Sequence, residues 1–179
     1  MTLPTFRGLT RVAAIGSLTL LAVAGVGVAL GLRVNTTHSI PRGIYWTIDT
    51  PVTTGAYVVF CPPADPVFAL AAQRGYIARG ICVSGYGYVM KRVLAANGDV
   101  IDVRDDGVHI NGALVSNSIP LIADGAGRAL PRYRVEEHRI DAASVLLMGD
   151  VSAASFDGRY FGPVSRSQIT AVIRPLITW

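Results

Sequence analysis

From Val12 to Leu32 the chain runs for 21 residues without a charge. At about 1.5 Å per residue a helix of that length covers about 30 Å, the thickness of a bilayer hydrocarbon core. The pattern predicts a membrane-spanning helix over residues 12–32. Gly16, Gly25, Gly27 and Gly31 would weaken a soluble helix but are ordinary in lipid. A cleaved signal peptide is the alternative, with a shorter apolar core of about 7–15 residues followed by a small-x-small site. Ala22-Val23-Ala24 has that form but lies inside the apolar run, so a retained anchor is expected. After Arg33 the pattern changes to short alternating or apolar runs separated by turn residues. These predict strands over 43–48, 57–60, 88–94, 100–103, 108–110, 144–148 and 169–175. Asp105-Asp106-Gly107 and Asn111-Gly112 mark turns between them. One short helix is expected over 66–74, and 117–134 reads as a long, polar, Gly/Pro-rich surface loop. The expected fold is mainly β: an antiparallel, coiled or barrel-like domain over 33–179 behind one transmembrane helix.

Charge orients this arrangement. Arg7 and Arg11 precede the span, so the positive-inside tendency leaves residues 1–11 in the cytoplasm and 33–179 in the periplasm. The net charge of +4 includes no basic run and no aromatic-basic interleaving, which disfavours nucleic acid as a partner and leaves the lipid surface as the simpler one. Cys61 and Cys82 both fall in the exported part, without a CxxC motif or a Cys/His cluster, so no metal or cofactor is expected. In an oxidising compartment a disulfide closing residues 61–82 is the natural expectation, with two buried thiols as the alternative.

The reactive residues are less obvious. There is no G-x-S-x-G elbow, and His38, His109 and His138 lack motif context. A triad assembled from distant segments stays open, although His109 in a hairpin and His138 in a charged loop read as surface residues. Of 16 basic residues 15 are arginine; the exception is Lys91, inside the apolar stretch 88–94. Arginine keeps its proton at any accessible pH, whereas a desolvated lysine loses it near neutrality and becomes a base. If Lys91 points inward with Val89 and Val93, its amine is held against apolar surface; a surface lysine on an edge strand fits the pattern equally well. The segment from Asn35 to Tyr45 places Ser39 seven residues beyond Leu32, within about 25 Å of a bilayer even if extended. That placement suits a membrane-embedded substrate, and an inert juxtamembrane turn is the alternative.

Taken together, these segments resemble the serine/lysine signal peptidases, and more closely their conjugative-transfer branch, the TraF-type peptidases. The branch pattern N-x-T-x-S-[VI]-P-x-G-x-Y is met by Asn35, Thr37, Ser39, Ile40, Pro41, Gly43 and Tyr45. Lys91-Arg92-Val93 with Gly98-Asp99 meets the lysine box, and Gly149-Asp150 with residues 155–163 meets the final box. Gly158 departs from it, since the family usually has serine after the aspartate. The resemblance implies Ser39 as nucleophile, Lys91 as general base, and an oxyanion held by the Ser39 amide and the Thr37 hydroxyl. Asp157 resembles a third functional residue that either orients the basic site or pairs with Arg159, two residues on and on the same strand face. Asn35, Pro41 and Asp150 are supporting residues by the same resemblance, Asp150 fixing the turn with Gly149. Cys61 and Cys82 match the cysteine-bearing insertion of the branch. The implied partners are exported, pilin-like precursors with signal peptides and other conjugative transfer proteins. The implied reaction is precursor cleavage at the outer face of the inner membrane, and the branch also includes a cyclase. A general signal peptidase and a catalytically silent membrane scaffold are the rival expectations.

Overall fold

The computed structural model describes residues 6–179. Residues 1–5 of the expected cytoplasmic N-terminus lie outside the described residues. Helix α1 (Phe6–Ala29) takes up the apolar run, and Thr10–Ala29 within it is long and apolar enough to cross a membrane. Its side chains Ile15, Leu18 and Leu21 are exposed, an apolar surface that calls for a cover other than water. The helix stops three residues short of the expected boundary. Gly31 adopts φ 109°, a conformation that suits glycine and ends helices, and its carbonyl accepts the Thr47 amide at 2.9 Å. Leu32 therefore already belongs to a strand.

The strands are β1 (Leu32–Asn35), β2 (Gly43–Ile48), β3 (Tyr57–Phe60), β4 (Val89–Ala95), β5 (Val100–Arg104) and β6 (Gly107–Ile110), followed by β7 (Ala113–Leu114), β8 (Val135–Arg139), β9 (Ser144–Met148), β10 (Val164–Ser165) and β11 (Ile169–Thr178). Helix α2 (Pro66–Gln73) follows β3, and α3 (Gly158–Phe161) follows β9. All pairings between strands are antiparallel. Seven strands form a half-barrel sheet in the order β1-β2-β11-β3-β4-β9-β10, and four form a second sheet in the order β7-β6-β5-β8. Strand β11 binds both β2 and β3, and its register shifts between Pro175 and Ile177, where proline has no amide hydrogen to donate.

The expected strands are present, β2, β3 and β9 with the expected bounds and β4, β5, β6 and β11 with shifted ends. Strands β1, β7, β8 and β10 and helix α3 were not expected, and His138, expected in a loop, lies on β8. Three apolar clusters fill the domain. Val58, Phe60, Val93 and Leu147 anchor the first, and Ile101, Val108, Ile140 and Leu146 the second, against the smaller sheet. Ile40, Tyr45, Val59, Met90 and Ile173 form the third, and Ile40 directly follows Ser39 in the chain.

Cys61 and Cys82 are joined, with Cα atoms 5.5 Å apart. Closing that loop of about 20 residues stabilises the fold by about 3 kcal/mol through the unfolded chain. Inside it Asp65 caps α2 by accepting the Val67 amide, and Pro66 fills the first turn, where a missing N–H costs nothing. Phe68 and Ala71 from α2 pack into the first cluster. The segment 117–134 contains no named strand, as expected, but it is tied down. Arg74 donates to the Ala129 carbonyl at 2.6 Å, Tyr76 to the Asp124 carboxylate, and the Leu121 amide to the Tyr160 hydroxyl at 3.0 Å.

Candidate active site

Asn35, at the end of β1 and 3% exposed, organises the segment that carries Ser39. Its Nδ2 donates to the carbonyls of Thr37, Ile40 and Pro41 at 2.9–3.0 Å, and its Oδ1 accepts the Thr37 amide and hydroxyl at 3.1 and 2.8 Å. An asparagine in this role replaces backbone pairing that a tight loop cannot supply. The Tyr45 hydroxyl donates to the Pro41 carbonyl at 2.6 Å. On the far side the Ser39 carbonyl accepts the Asp150 amide at 2.9 Å. Gly149 permits that approach, because a Cβ there would stand 2.7 Å from the Ser39 carbonyl oxygen and overlap Ser155.

Lys91 comes from the middle of β4 and is 2% exposed; its neighbour Arg92 points the other way, to Asp150 at 3.5 Å and over the Tyr57 ring. The strand alternation that puts Val93 in the core thus puts Lys91 inside as well. Its Nζ donates to Ser39 Oγ at 2.8 Å and to Ser155 Oγ at 2.6 Å, and Ser155 Oγ donates to Ser39 Oγ at 3.2 Å. None of its hydrogen-bond partners is a carboxylate. Burial lowers the Lys91 ammonium to about 8; the Asp157 carboxylate opposes that shift and the Arg159 guanidinium adds to it.

Asp157 and Arg159 are paired and fully buried, but not across a strand face. Asp157 is the N-cap of α3, and Arg159 lies in its first turn. Two parallel bonds of 2.8 Å join Arg159 Nε and Nη2 to the two carboxylate oxygens, and Asp157 also accepts the Gly149 amide at 2.9 Å. The remaining Arg159 donors reach the carbonyls of Ala153 at 2.9 Å and Ser155 at 3.0 Å, and those of Asn117 and Ile119. The pair therefore fixes the backbone that carries Ser155, and through Ser155 the amine of Lys91; Asp157 makes no hydrogen bond to Lys91. Asp150 is held by the Tyr57 hydroxyl at 2.7 Å, and burial together with that carboxylate pushes Tyr57 up to about 12.

Residues 9–179 match the family model described as signal peptidase, peptidase S26. This chain belongs to the signal peptidase family. It is 57% identical over 176 residues to a plasmid transfer protein TraF of Escherichia coli, covering 97% of this chain and 99% of that one. A conjugal transfer protein TraF of Agrobacterium tumefaciens is 36% identical over 168 residues, 92% of this chain and 90% of its own. A solved signal peptidase I from Enterococcus faecalis is also similar, at 17% identity and a TM-score of 0.38, over 72% of this chain and 100% of that one.

In this member of the family Ser39 and Lys91 open onto a cleft of about 480 Å³. Residues 34–39 and 88–91 line it, together with Phe68, Tyr76, Phe156 and Phe161. His38 also faces the cleft, its Nδ1 3.3 Å from Arg42 Nη2; His109 lies 3.7 Å from Asp106, and His138 is exposed. None of the three is hydrogen-bonded to Ser39. Among the described residues no group of three or more His, Cys, Asp or Glu side chains is placed to hold a metal ion. Ser155 was not among the expected site residues. It stands in the final box two residues before Asp157, but serine is too common to be singled out without the contact that Lys91 makes.

Proposed function

We propose that this chain is a membrane-anchored serine endopeptidase of a conjugative transfer system, cleaving exported pilin-like precursors at the outer face of the inner membrane. One observation carries the reading: the buried amine of Lys91 lies 2.8 Å from Ser39 Oγ with no carboxylate among its hydrogen-bond partners. At pH 7 about a tenth of such amines with a pKa near 8 are neutral and able to accept the serine proton.

In the proposed sequence Ser39 Oγ attacks the scissile carbonyl carbon as its proton passes to Lys91 Nζ. The bond to the leaving amine then breaks as Lys91 returns the proton to that nitrogen, leaving an acyl-enzyme. Among the described residues no acceptor takes the Ser39 amide hydrogen, which leaves it for the oxyanion. The Thr37 hydroxyl donates to Asn35 in the free enzyme, so its service at the oxyanion requires exchanging that acceptor for the substrate oxygen. Water, or an amine of the substrate itself as in a cyclase, resolves the acyl-enzyme with Lys91 again taking the proton.

Asp157 and Arg159 support the base through Ser155, and Asn35, Pro41 and Asp150 support the nucleophile segment. The anchor is the helix at the N-terminus, with the catalytic domain in the periplasm; activity of a periplasm-dependent reporter fused after Trp179 is expected, and activity of a cytoplasm-dependent one contradicts it. The chemistry is tested with the purified full chain in detergent and a synthetic pilin-type precursor. Mass spectrometry should find one new carboxyl terminus with the wild type and none with Ser39→Ala. Equal cleavage by both proteins rejects Ser39 as nucleophile.

A further inference from the structure

The cleft beside Ser39 is lined in part by a piece of the chain that the serine/lysine chemistry does not use. Residues 61–82 leave the sheet after β3 and return before β4, and Phe68, Tyr76, Ile77 and Ala78 from this excursion reach the cleft. Phe68 and Ile77 are buried in the first apolar cluster, Phe68 lying 4.9 Å from the Phe161 ring and 6.3 Å from that of Phe60. Ala78 presents only a methyl group. Among these four Tyr76 alone combines a large ring with partial exposure, and it joins Tyr88, Phe156 and Phe161 as a ring-bearing wall residue that is not completely buried.

Tyr76 is also held in place from several sides. Its ring lies against Phe156 at 5.3 Å, one residue from the Ser155 that contacts Lys91. Its hydroxyl donates to Asp124, and the Arg128 guanidinium sits 5.7 Å from its ring centroid. Arg128 in turn pairs with Asp124 at 2.7 Å, and Asp124 accepts the amides of Ala126 and Arg128 at 2.9 Å. These donors keep the Asp124 carboxylate far below the usual carboxylate range, so the clasp stays charged at any pH at which the protein works. The Cys61–Cys82 bond ties both ends of the excursion together behind it. A ring restrained by a tilted aromatic contact, a charge-assisted hydrogen bond and a covalent staple is a fixed boundary rather than a mobile side chain.

We propose that Tyr76 is a specificity-determining residue: pinned by the Asp124–Arg128 clasp, its ring sets the largest substrate side chain admitted to the cleft beside Ser39. The proposal rests on the peptidase reading of that cleft. An extended peptide presents alternate side chains to the same wall, so the limit falls on alternate residues of the bound segment.

The test uses the full chain in detergent and two precursor peptides that differ only in carrying alanine or leucine in that segment. Wild type should prefer the alanine peptide, and Tyr76→Ala should shift the ratio of kcat/KM toward the leucine peptide by at least tenfold. Tyr76→Phe, which keeps the ring and loses the bond to Asp124, should shift it by less. The same ratio is read as relative Kd of the uncleaved peptides on Ser39→Ala and on Ser39→Ala/Tyr76→Ala, which reports the wall even if the chemistry is assigned wrongly. Retention of the disulfide in each variant, by non-reducing mass mapping, shows that the excursion is formed. An unchanged ratio in both turnover and binding overturns the role of Tyr76. Cleavage that survives Ser39→Ala while the binding ratio still shifts overturns the serine/lysine reading and leaves Tyr76 standing.

Discussion

Asp157 shows how a single residue is judged by its surroundings. Its carboxylate and the Arg159 guanidinium are both fully buried, and each satisfies the other's charge and several backbone groups. Replacing it with asparagine leaves a buried guanidinium without its counter-charge, a change that costs about 3–5 kcal/mol. At about 2–4 °C per kcal/mol for a chain of this size, Asp157→Asn should lower the melting temperature by about 6–20 °C, measured by circular dichroism, and activity should fall with it. A variant that melts like the wild type yet cleaves nothing would instead place Asp157 in the chemistry. Lys91 was legible as unusual because it is the one lysine among fifteen arginines, but its direction was not. Only the pairing of β4 between β3 and β9 makes the inward position of the alternation a buried one.

Among the elements, those with a clear apolar period were legible and those stabilised by partners were not. Strand β8 reads Val-Glu-Glu-His-Arg, with four of its five residues exposed; it exists because its backbone pairs with the edge of β5. Strand β1 was hidden because Leu32 continues the apolar run of the helix, and the break at Gly31 is a matter of backbone conformation. The start of α3 explains the departure at Gly158. A Cβ at that position would stand 2.6 Å from Leu146 Cδ1 and 2.9 Å from the Leu147 carbonyl oxygen, so β9 and α3 pack too closely for a side chain. Gly158→Ser, although it restores the residue usual in the family, should therefore destabilise this protein by about 1–3 kcal/mol in denaturant unfolding. A neutral or stabilising effect would show that α3 moves aside at little cost.

At the scale of the whole molecule, helix α1 leads straight into β1, and Asn35 at the end of β1 binds the segment that bears Ser39. The proposed nucleophile and the proposed anchor are thus joined by a single strand, which would keep the proposed chemistry near the membrane surface and suits a substrate held there. Opposite them, the sheet interior supplies the amine and the box before α3 supplies the groups that aim it. The central claim, that Lys91 is the base, makes the reaction depend on a proton that burial has loosened. Only the neutral amine accepts from Ser39, so the wild-type rate should rise with pH through about 8 and level off above it, while the charge itself stays in Lys91→Arg at every pH. The most direct measurement is the pH profile of precursor turnover by the wild type and by folded Lys91→Arg protein. The expected result is a rise through about pH 8 in the wild type and a loss of at least about 10²–10⁴-fold in the variant. Turnover by Lys91→Arg within a few fold of wild type, or a wild-type profile flat from pH 6 to about 9 with chemistry limiting, would contradict it.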